Sequence, residues 1–355
     1  MSEVRTRLAA ASGQRLFWPL VVLVVLIAAN TAYRPSFVSI EVKDGHLYGS
    51  LVDIVRLSAP LILVALGMTL VIATGGIDLS VGSVCAIAGS MACLHISQAA
   101  DQNSLSTLFT ALGLALGLAL VAGAWNGLLV SVIGIQPIIA TLILMVAGRG
   151  LAQLITEGQI ITINSDPYRV IGAGYWLTLP VAILIAIAVT LLIAVLTRRT
   201  ALGLIIEAVG GNAEASRLAG IRARRITFLV YVIAGICAAV AGFMITADVS
   251  SAAGSTAGLW IELDAILAVV IGGTSLAGGR FSLSGTLIGA LIIQTLTTTV
   301  YAMNISPQTS LLFKAVVVIV VCLIQAPAFR ARFARRRPPA TPTVAAAPQK
   351  EQVPA

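Results

Sequence analysis

Charged residues are scarce in this chain. They make up 10% of its 355 positions, whereas 58% are hydrophobic. An ordinary soluble domain carries about 25% charged residues, because its surface must face water. The charges here are too few to coat a globule of this size, so the apolar surface must face lipid. The composition therefore predicts an integral membrane protein.

Lysine and histidine are almost absent, which removes several kinds of catalytic site. The three lysines are Lys43, Lys314 and Lys350, and none follows a glycine, so the chain has no Gly-Lys-[Ser/Thr] phosphate loop. The two histidines, His46 and His95, belong to no HExxH motif, and no GxSxG motif occurs. We therefore expect no enzymatic activity, no metal and no cofactor on this chain.

Cysteine pairs and interleaved basic and aromatic residues are also missing. The four cysteines form no CxxC, which argues against structural zinc and a disulfide framework. The net charge is +8, but only 5% of residues are aromatic and the arginines flank apolar runs. A nucleic-acid-binding face would bring a recognisable motif or interleaved aromatics. We expect no nucleic-acid partner.

What the chain does have is long apolar runs, and a helix that crosses a bilayer needs about 20 such residues. Ten runs meet or approach this length: residues 17–33, 57–75, 80–97, 107–130, 137–156, 177–197, 226–247, 265–279, 284–302 and 311–325. The sequence predicts an all-α transmembrane bundle of about ten spans over residues 17–325. Residues 1–16 form a short N-terminal tail, and residues 326–355, rich in Arg and Pro, are expected to be disordered.

Loop charge predicts the orientation of the bundle. The middle loop, residues 198–225, carries six arginines, whereas residues 248–264 carry three acidic residues and no basic one. The positive-inside rule places the middle loop in the cytoplasm and residues 248–264 outside. Six spans precede the middle loop and four follow it, so both termini are expected in the cytoplasm.

Two segments interrupt the apolar runs with paired glycines and hydroxyl residues. The first glycine segment is GGIDLSVG at 75–82, and the second is GGTSLAGGR at 272–280. Glycine-broken hydrophobic segments in separate halves of a transporter point to its binding region. The competing interpretation is a pair of plain turns, in which Asp78 and Ser80 cap the next helix. The candidate pathway or gate residues are Gly75, Gly76, Asp78, Ser80, Gly272, Gly273, Thr274 and Ser275.

The middle loop is predicted to contain a short helix. Asn212 is suited to cap its start, Glu214 and Arg217 to pair one turn apart, and Gly220 to end it. Such a helix can dock into a partner's groove, or it can lie on the membrane surface. The candidate docking residues are Gly211, Asn212, Glu214, Arg217, Leu218 and Gly220.

Charges inside or beside the spans each need an explanation, since they are expensive in lipid. We expect Arg149 to face a central cavity or to pair with an acid such as Glu157. We expect Glu262 and Asp264 to lie on a solvated outer surface, and Lys314 to reach the outer interface.

Glycines at four-residue spacing predict close helix packing in lipid. Two such pairs are Gly113 with Gly117, and Gly285 with Gly289.

Taken together, GGIDLSVG at 75–82, GGNAEASRLAGI at 210–221 and GGTSLAGG at 272–279 resemble the permeases of ribose- and galactose-type ABC importers, in the branched-chain amino acid/sugar permease superfamily. The resemblance runs from about residue 15 to 325. Three further stretches resemble the galactofuranose-permease subgroup: DGHLYGS at 44–50, QPIIATLILMVAGRG at 136–150 and GLWIELDAILAVVIGG at 258–273.

This resemblance implies a type II importer-like permease subunit in a bacterial inner membrane. Its partners would be an ATPase that holds ATP and Mg²⁺, a periplasmic sugar-binding protein, and a second copy of this chain or a sister permease. It also implies that the middle-loop helix couples to the ATPase. The alternative is a sugar or small-solute transporter driven by an ion gradient, or a passive one, that works without an ATPase.

Overall fold

Residues 16–43 and 45–303 are described by the computed structural model, together with the single residues 309, 312, 315, 316, 319 and 323. The predicted tails at 1–16 and 326–355 and the predicted tenth span at 311–325, with Lys314, lie outside the continuous ranges, apart from Leu16. Twelve α-helices run through those ranges: α1 Phe17–Tyr33, α2 Ser50–Ala73, α3 Val81–Gln98, α4 Leu105–Leu128, α5 Pro137–Ile155, α6 Asp166–Ala173, α7 Val181–Arg198, α8 Leu202–Gly211, α9 Ala213–Leu218, α10 Ala223–Asp248, α11 Ile261–Ile271 and α12 Leu283–Ala302.

Seven of these helices are long and apolar enough to cross a membrane: α2, α3, α4 with its π-helical extension Leu129–Ile133, α5, α7, α10 and α12. The expected count of about ten spans is therefore not confirmed by the described residues. Helix α1 has 17 residues and falls just short. The predicted span at 265–279 is instead the 11-residue helix α11, because the backbone reverses at Gly273, where φ is +86°.

Helix α10 lies at the centre of the bundle and packs against α2, α3 and α4. The apolar stretch of α2 is 78% buried, whereas those of α5 and α7 are only 28% and 22% buried. The outer helices thus expose leucine, isoleucine and valine, which suits contact with lipid.

The described residues are mostly helical, as the predicted bundle requires, and they also contain six short strands that were not predicted. They form three antiparallel pairs: β1 Glu41–Lys43 with β2 His46–Tyr48, β3 Ile160–Thr162 with β6 Ser251–Ala253, and β4 Tyr175–Trp176 with β5 Leu179–Pro180. All three pairs lie at the end of the bundle away from the middle loop, here called the outer end. The end that carries the middle loop is called the basic end. Strands of two or three residues are too short to show a period-two pattern, so they could not be predicted from the sequence.

The glycine-spacing prediction is confirmed for one of the two pairs. A Cβ atom on Gly285 would overlap the backbone of Gly272, and one on Gly289 would overlap the carbonyl oxygen of Ala268. These contacts hold α11 against α12. Gly113 and Gly117 in α4 have no described atom within 4 Å of such a Cβ.

We predict that Gly289→Ala lowers the stability of the purified chain, because the added methyl group forces α11 and α12 apart. Overpacking of this kind typically costs about 1–3 kcal/mol. Gly117→Ala is the matched control, and it should be neutral or mildly stabilising, because alanine favours a helix over glycine. Thermal unfolding in one detergent compares the two variants; equal midpoints would contradict the packing assignment.

Candidate functional site

The first glycine segment reverses the chain between α2 and α3 and buries a carboxylate. Gly75 adopts φ +84°, a left-handed conformation that glycine accepts without strain. Asp78 is only 2% exposed, and its Oδ1 accepts hydrogen bonds from the backbone amide and the hydroxyl of Ser80, at 2.9 and 2.6 Å. Asn126 of α4 donates to the Ser80 hydroxyl at 2.8 Å. A buried carboxylate needs such donors, and they fix this segment to α4.

The predicted capping role of these two residues is only partly found. Asp78 binds the amide of Ser80, which directly precedes α3, but the Ser80 side chain makes no capping bond to that helix. Thr141 of α5 adds a second anchor, because its hydroxyl accepts from the Leu79 amide at 3.1 Å and donates to the Ile77 carbonyl at 3.2 Å.

The second glycine segment joins α11 to α12 through a tight loop. Thr274 is 3% exposed, and its hydroxyl accepts from the Ser282 amide at 3.2 Å. Ser282 in turn caps α12 by accepting from the Gly285 amide at 3.1 Å. Ser275 is exposed, and its hydroxyl accepts from the nearby Ala277 amide at 3.2 Å.

The predicted helix in the middle loop is confirmed as α9. The Asn212 side chain caps it by accepting from the Ala215 amide at 2.9 Å. The Arg217 guanidinium pairs with the Glu214 carboxylate at 2.6 Å and holds the pKa of Glu214 below its ordinary value. Gly220 ends the helix with φ +85°. Leu218 is 78% exposed, so α9 presents an apolar side chain beside an ion pair at the basic end.

The three segments meet at one place, here called the glycine junction, formed by Ala73, Gly75, Gly210, Gly278 and Gly279. The amide of Gly279 donates to the carbonyl of Ala73 at 2.9 Å, so the second glycine segment is hydrogen-bonded to the end of α2, just before the first glycine segment. Gly210, the penultimate residue of α8, packs its backbone against both atoms of this bond. A Cβ on Gly278 would stand 2.9 Å from the Gly210 oxygen and 3.0 Å from the Gly75 nitrogen. Only glycines allow backbones to approach this closely.

A cavity of about 240 Å³ lies beside the glycine junction. Its walls include Gly75 and Gly76 of the first glycine segment, Ala213 of α9, and Arg224 and Tyr231 of α10. The first glycine segment and the middle loop therefore border one space.

Most of the predicted site residues lie around this junction, but the residues that make the contact were missed. Sequence reasoning treated 75–80, 272–275 and 211–220 as separate sites and did not single out Gly210, Gly278 or Gly279. The available signal was that each motif carries a pair of adjacent glycines. No described group of three or more His, Cys, Asp or Glu side chains is placed to hold a metal ion.

The expectations for the embedded charges are corrected. Arg149 of α5 does not pair with Glu157; it donates to the carbonyls of Gly254 at 3.3 Å and Ala257 at 2.6 Å. Its electrostatic partner is Glu262.

Glu262 itself is 5% exposed in α11 rather than solvated. Its carboxylate packs against Gly82 of α3, where a side chain would collide with it. Asp264 is half-buried. The burial of Glu262 could not be predicted locally, because it depends on the packing of α11 against α3 at Gly82.

Residues 50–322 match the family described as branched-chain amino acid transport system / permease component. The chain is 49% identical over 321 residues to the galactofuranose transporter permease protein of Escherichia coli K12, covering 89% of this chain and 92% of the relative. It is 42% identical over 321 residues to the fructose import permease protein of Bifidobacterium longum NCC 2705, covering 89% and 88%. It is 38% identical over 325 residues to the ribose import permease protein of Escherichia coli K12, covering 88% and 97%. No solved structure matches the chain significantly.

The resemblance carried by the glycine motifs is thus confirmed, and the chain belongs to the branched-chain amino acid transport system permease-component family, as a multi-pass membrane protein.

Proposed function

We propose that this chain is the membrane permease subunit of an ATP-driven monosaccharide importer in a bacterial plasma membrane. The substrate is a pentose or hexose, with galactofuranose the first candidate because the permease named for it shares 49% identity with this chain. The observation that carries the proposal is the glycine junction. It joins a docking helix to two broken segments, which is the connection that a permease driven from outside its membrane domain needs.

Charge supports placing the basic end in the cytoplasm. The middle loop there carries six arginines against Glu207 and Glu214, whereas the outer end carries charges of both signs, with Asp53 and Asp248 beside Arg56. Both termini would then be cytoplasmic. An ATPase partner would meet α9, and a periplasmic sugar-binding protein would meet the outer end.

Helix α9 is proposed as the coupling helix. Its exposed Leu218, next to Glu214 and Arg217, suits the groove of a partner protein. ATP and Mg²⁺ would be held by that partner, because this chain has no phosphate-binding loop. A second copy of this chain, or a sister permease, would complete the membrane core.

The glycine junction supplies the transmission. Gly210 lies three residues before Ala213, where α9 begins, and its backbone packs against Ala73 at the end of α2 and Gly279 of the second glycine segment. A displacement of α9 would therefore move these backbone contacts. Because the contact is between backbone atoms, no side-chain rotation can compensate for a displacement. We therefore assign residues 75–80 and 272–279 to a gate that follows the movement of the coupling helix.

The competing function is a sugar transporter that uses an ion gradient or none. Such a protein would not need α9 to bind an ATPase. Two sets of variants test the choice.

Replacing both Glu214 and Arg217 with alanine should weaken the ATPase interaction at least about tenfold, because truncating central interface residues commonly costs about 2 kcal/mol or more. ATP-driven sugar uptake in proteoliposomes containing the complete importer should fall accordingly, with normal membrane insertion.

The matched control is the exposed pair Glu41 and Lys43 at the outer end, which are 2.6 Å apart. Replacing these two with alanine should leave the ATPase interaction unchanged. Unchanged ATP-driven uptake in the Glu214 and Arg217 variant would contradict the coupling role of α9.

Gly210→Ala should disturb the glycine junction itself, because a methyl group there overlaps the carbonyl oxygen of Ala73. We expect ATP-driven uptake to fall at least about fivefold, the lower range of measured coupling effects. The ATPase should still co-purify, since the exposed surface of α9 is unchanged. Gly150→Ala, where no described atom lies within 4 Å, should transport normally. Equal ATP-driven uptake by the Gly210→Ala and Gly150→Ala variants would contradict a role of the glycine junction in transport.

A further inference from the structure

A second cavity, here called the outer cavity, lies towards the outer end between α2, α10, α11 and α12. Its volume is about 460 Å³, within the range of roughly 300–1,000 Å³ typical of small-molecule sites. One part of its wall is apolar and includes Leu57 and Leu61 of α2 and Met244 and Ile245 of α10. Neither glycine segment lines it.

The outer cavity also carries a group of charges. The guanidinium of Arg56 forms an ion pair with Asp248 and lies 3.7 Å from Asp53. The Arg56 and Asp248 side chains are only 20% and 30% exposed. Asp264 lines the same space. The cavity wall therefore holds one guanidinium and two carboxylates, which disfavours an anionic ligand.

Polar groups without an internal partner face the outer cavity as well. Gln294 lies in the middle of α12 and is half-buried. Among the described residues its side chain has no hydrogen-bond partner, although a primary amide offers two donors and an acceptor. Pro60, also in the wall, cannot donate to the carbonyl of Arg56 four residues before it in α2. The Gln294 amide is therefore available to hydrogen-bond a ligand in the outer cavity.

We propose that the outer cavity is a binding subsite for a neutral monosaccharide in the permease itself, an inference that rests on the proposed sugar-import function. Sugar hydroxyls both donate and accept, so they match a wall that mixes guanidinium, carboxylate and amide groups. The C–H face of the sugar packs against Leu57, Leu61 and Met244. The ion pair to Arg56 keeps Asp248 in place to accept from a hydroxyl. The subsite receives the sugar at the outer end, before it reaches the glycine segments.

The test is direct sugar binding to the full chain in nanodiscs, without the ATPase or the binding protein. The probes are D-galactose, D-fructose and D-ribose, each followed by saturation-transfer difference NMR, which detects weak binding. We expect saturation transfer to at least one of these sugars. Gln294→Leu should weaken that binding about tenfold or more, because it removes the amide and puts an apolar side chain of similar size at that position of the helix.

A second variant and a control keep the result interpretable. Leu57→Trp fills the outer cavity without removing a polar group, and it should also abolish binding. Gln153→Leu changes an exposed glutamine of α5 that does not line the cavity, and it should bind sugar as the unmodified chain does. Thermal unfolding verifies that all three variants are folded.

The proposal is overturned if none of the three sugars shows saturation transfer, or if folded Gln294→Leu and Leu57→Trp bind as well as the unmodified chain. Binding of L-lysine but of no sugar would also overturn it, in favour of a cationic ligand. ATP-driven uptake by the complete importer is measured separately. Normal uptake without binding to the permease would reject the subsite and leave the import function standing.

Discussion

Close contact between backbones at glycine is the constraint on which this structure depends. Within lipid, apolar side chains gain little by leaving the hydrocarbon, so helices associate through tight packing and hydrogen bonds. Gly242 of α10 lies against the backbone of Cys85 in α3, and Gly289 of α12 against Ala268 in α11. The same contact, repeated at Gly210, joins the middle loop to the membrane-embedded segments. The transmission proposed for the glycine junction would thus use the same close backbone contact that packs the helices.

A buried hydrogen bond fixes the packing of α2 against α12, and both helices run between the two ends of the bundle. Thr69 of α2 and Thr286 of α12 are hydrogen-bonded at 2.8 Å, which fixes how these helices face each other. Helix α2 carries Pro60 in the outer cavity and Ala73 in the glycine junction, 13 residues or roughly 20 Å apart along a helix. Helices α2 and α12 both run from the region of the glycine junction to the walls of the outer cavity.

The class of the protein and its segments were readable from the sequence because they depend on composition and local order. Because charged residues are scarce, the surface of the protein must face lipid, and the apolar runs showed where most of the helices lie. The cap of α9 at Asn212, its ion pair and its end at Gly220 were all predictable, because each involves residues within one or two turns. The glycine motifs carried the family resemblance. The coupling and gate roles of these residues stay predictions.

The tertiary structure alone decided which segments meet. Nothing local shows that Gly210 touches Ala73 and Gly279, since these residues are far apart in the chain and glycine has no side chain to mark a contact. Glu262 looked like a loop residue because its burial depends on the packing of α11 against Gly82 of α3, which is far away in the chain. Gly113 and Gly285 have the same spacing in sequence, yet only Gly285 packs closely against a described neighbour. Composition and local sequence thus determined that the chain lies in lipid, where its helices run and how they are capped. The rotation of each helix and the contacts between backbones depend on the whole bundle.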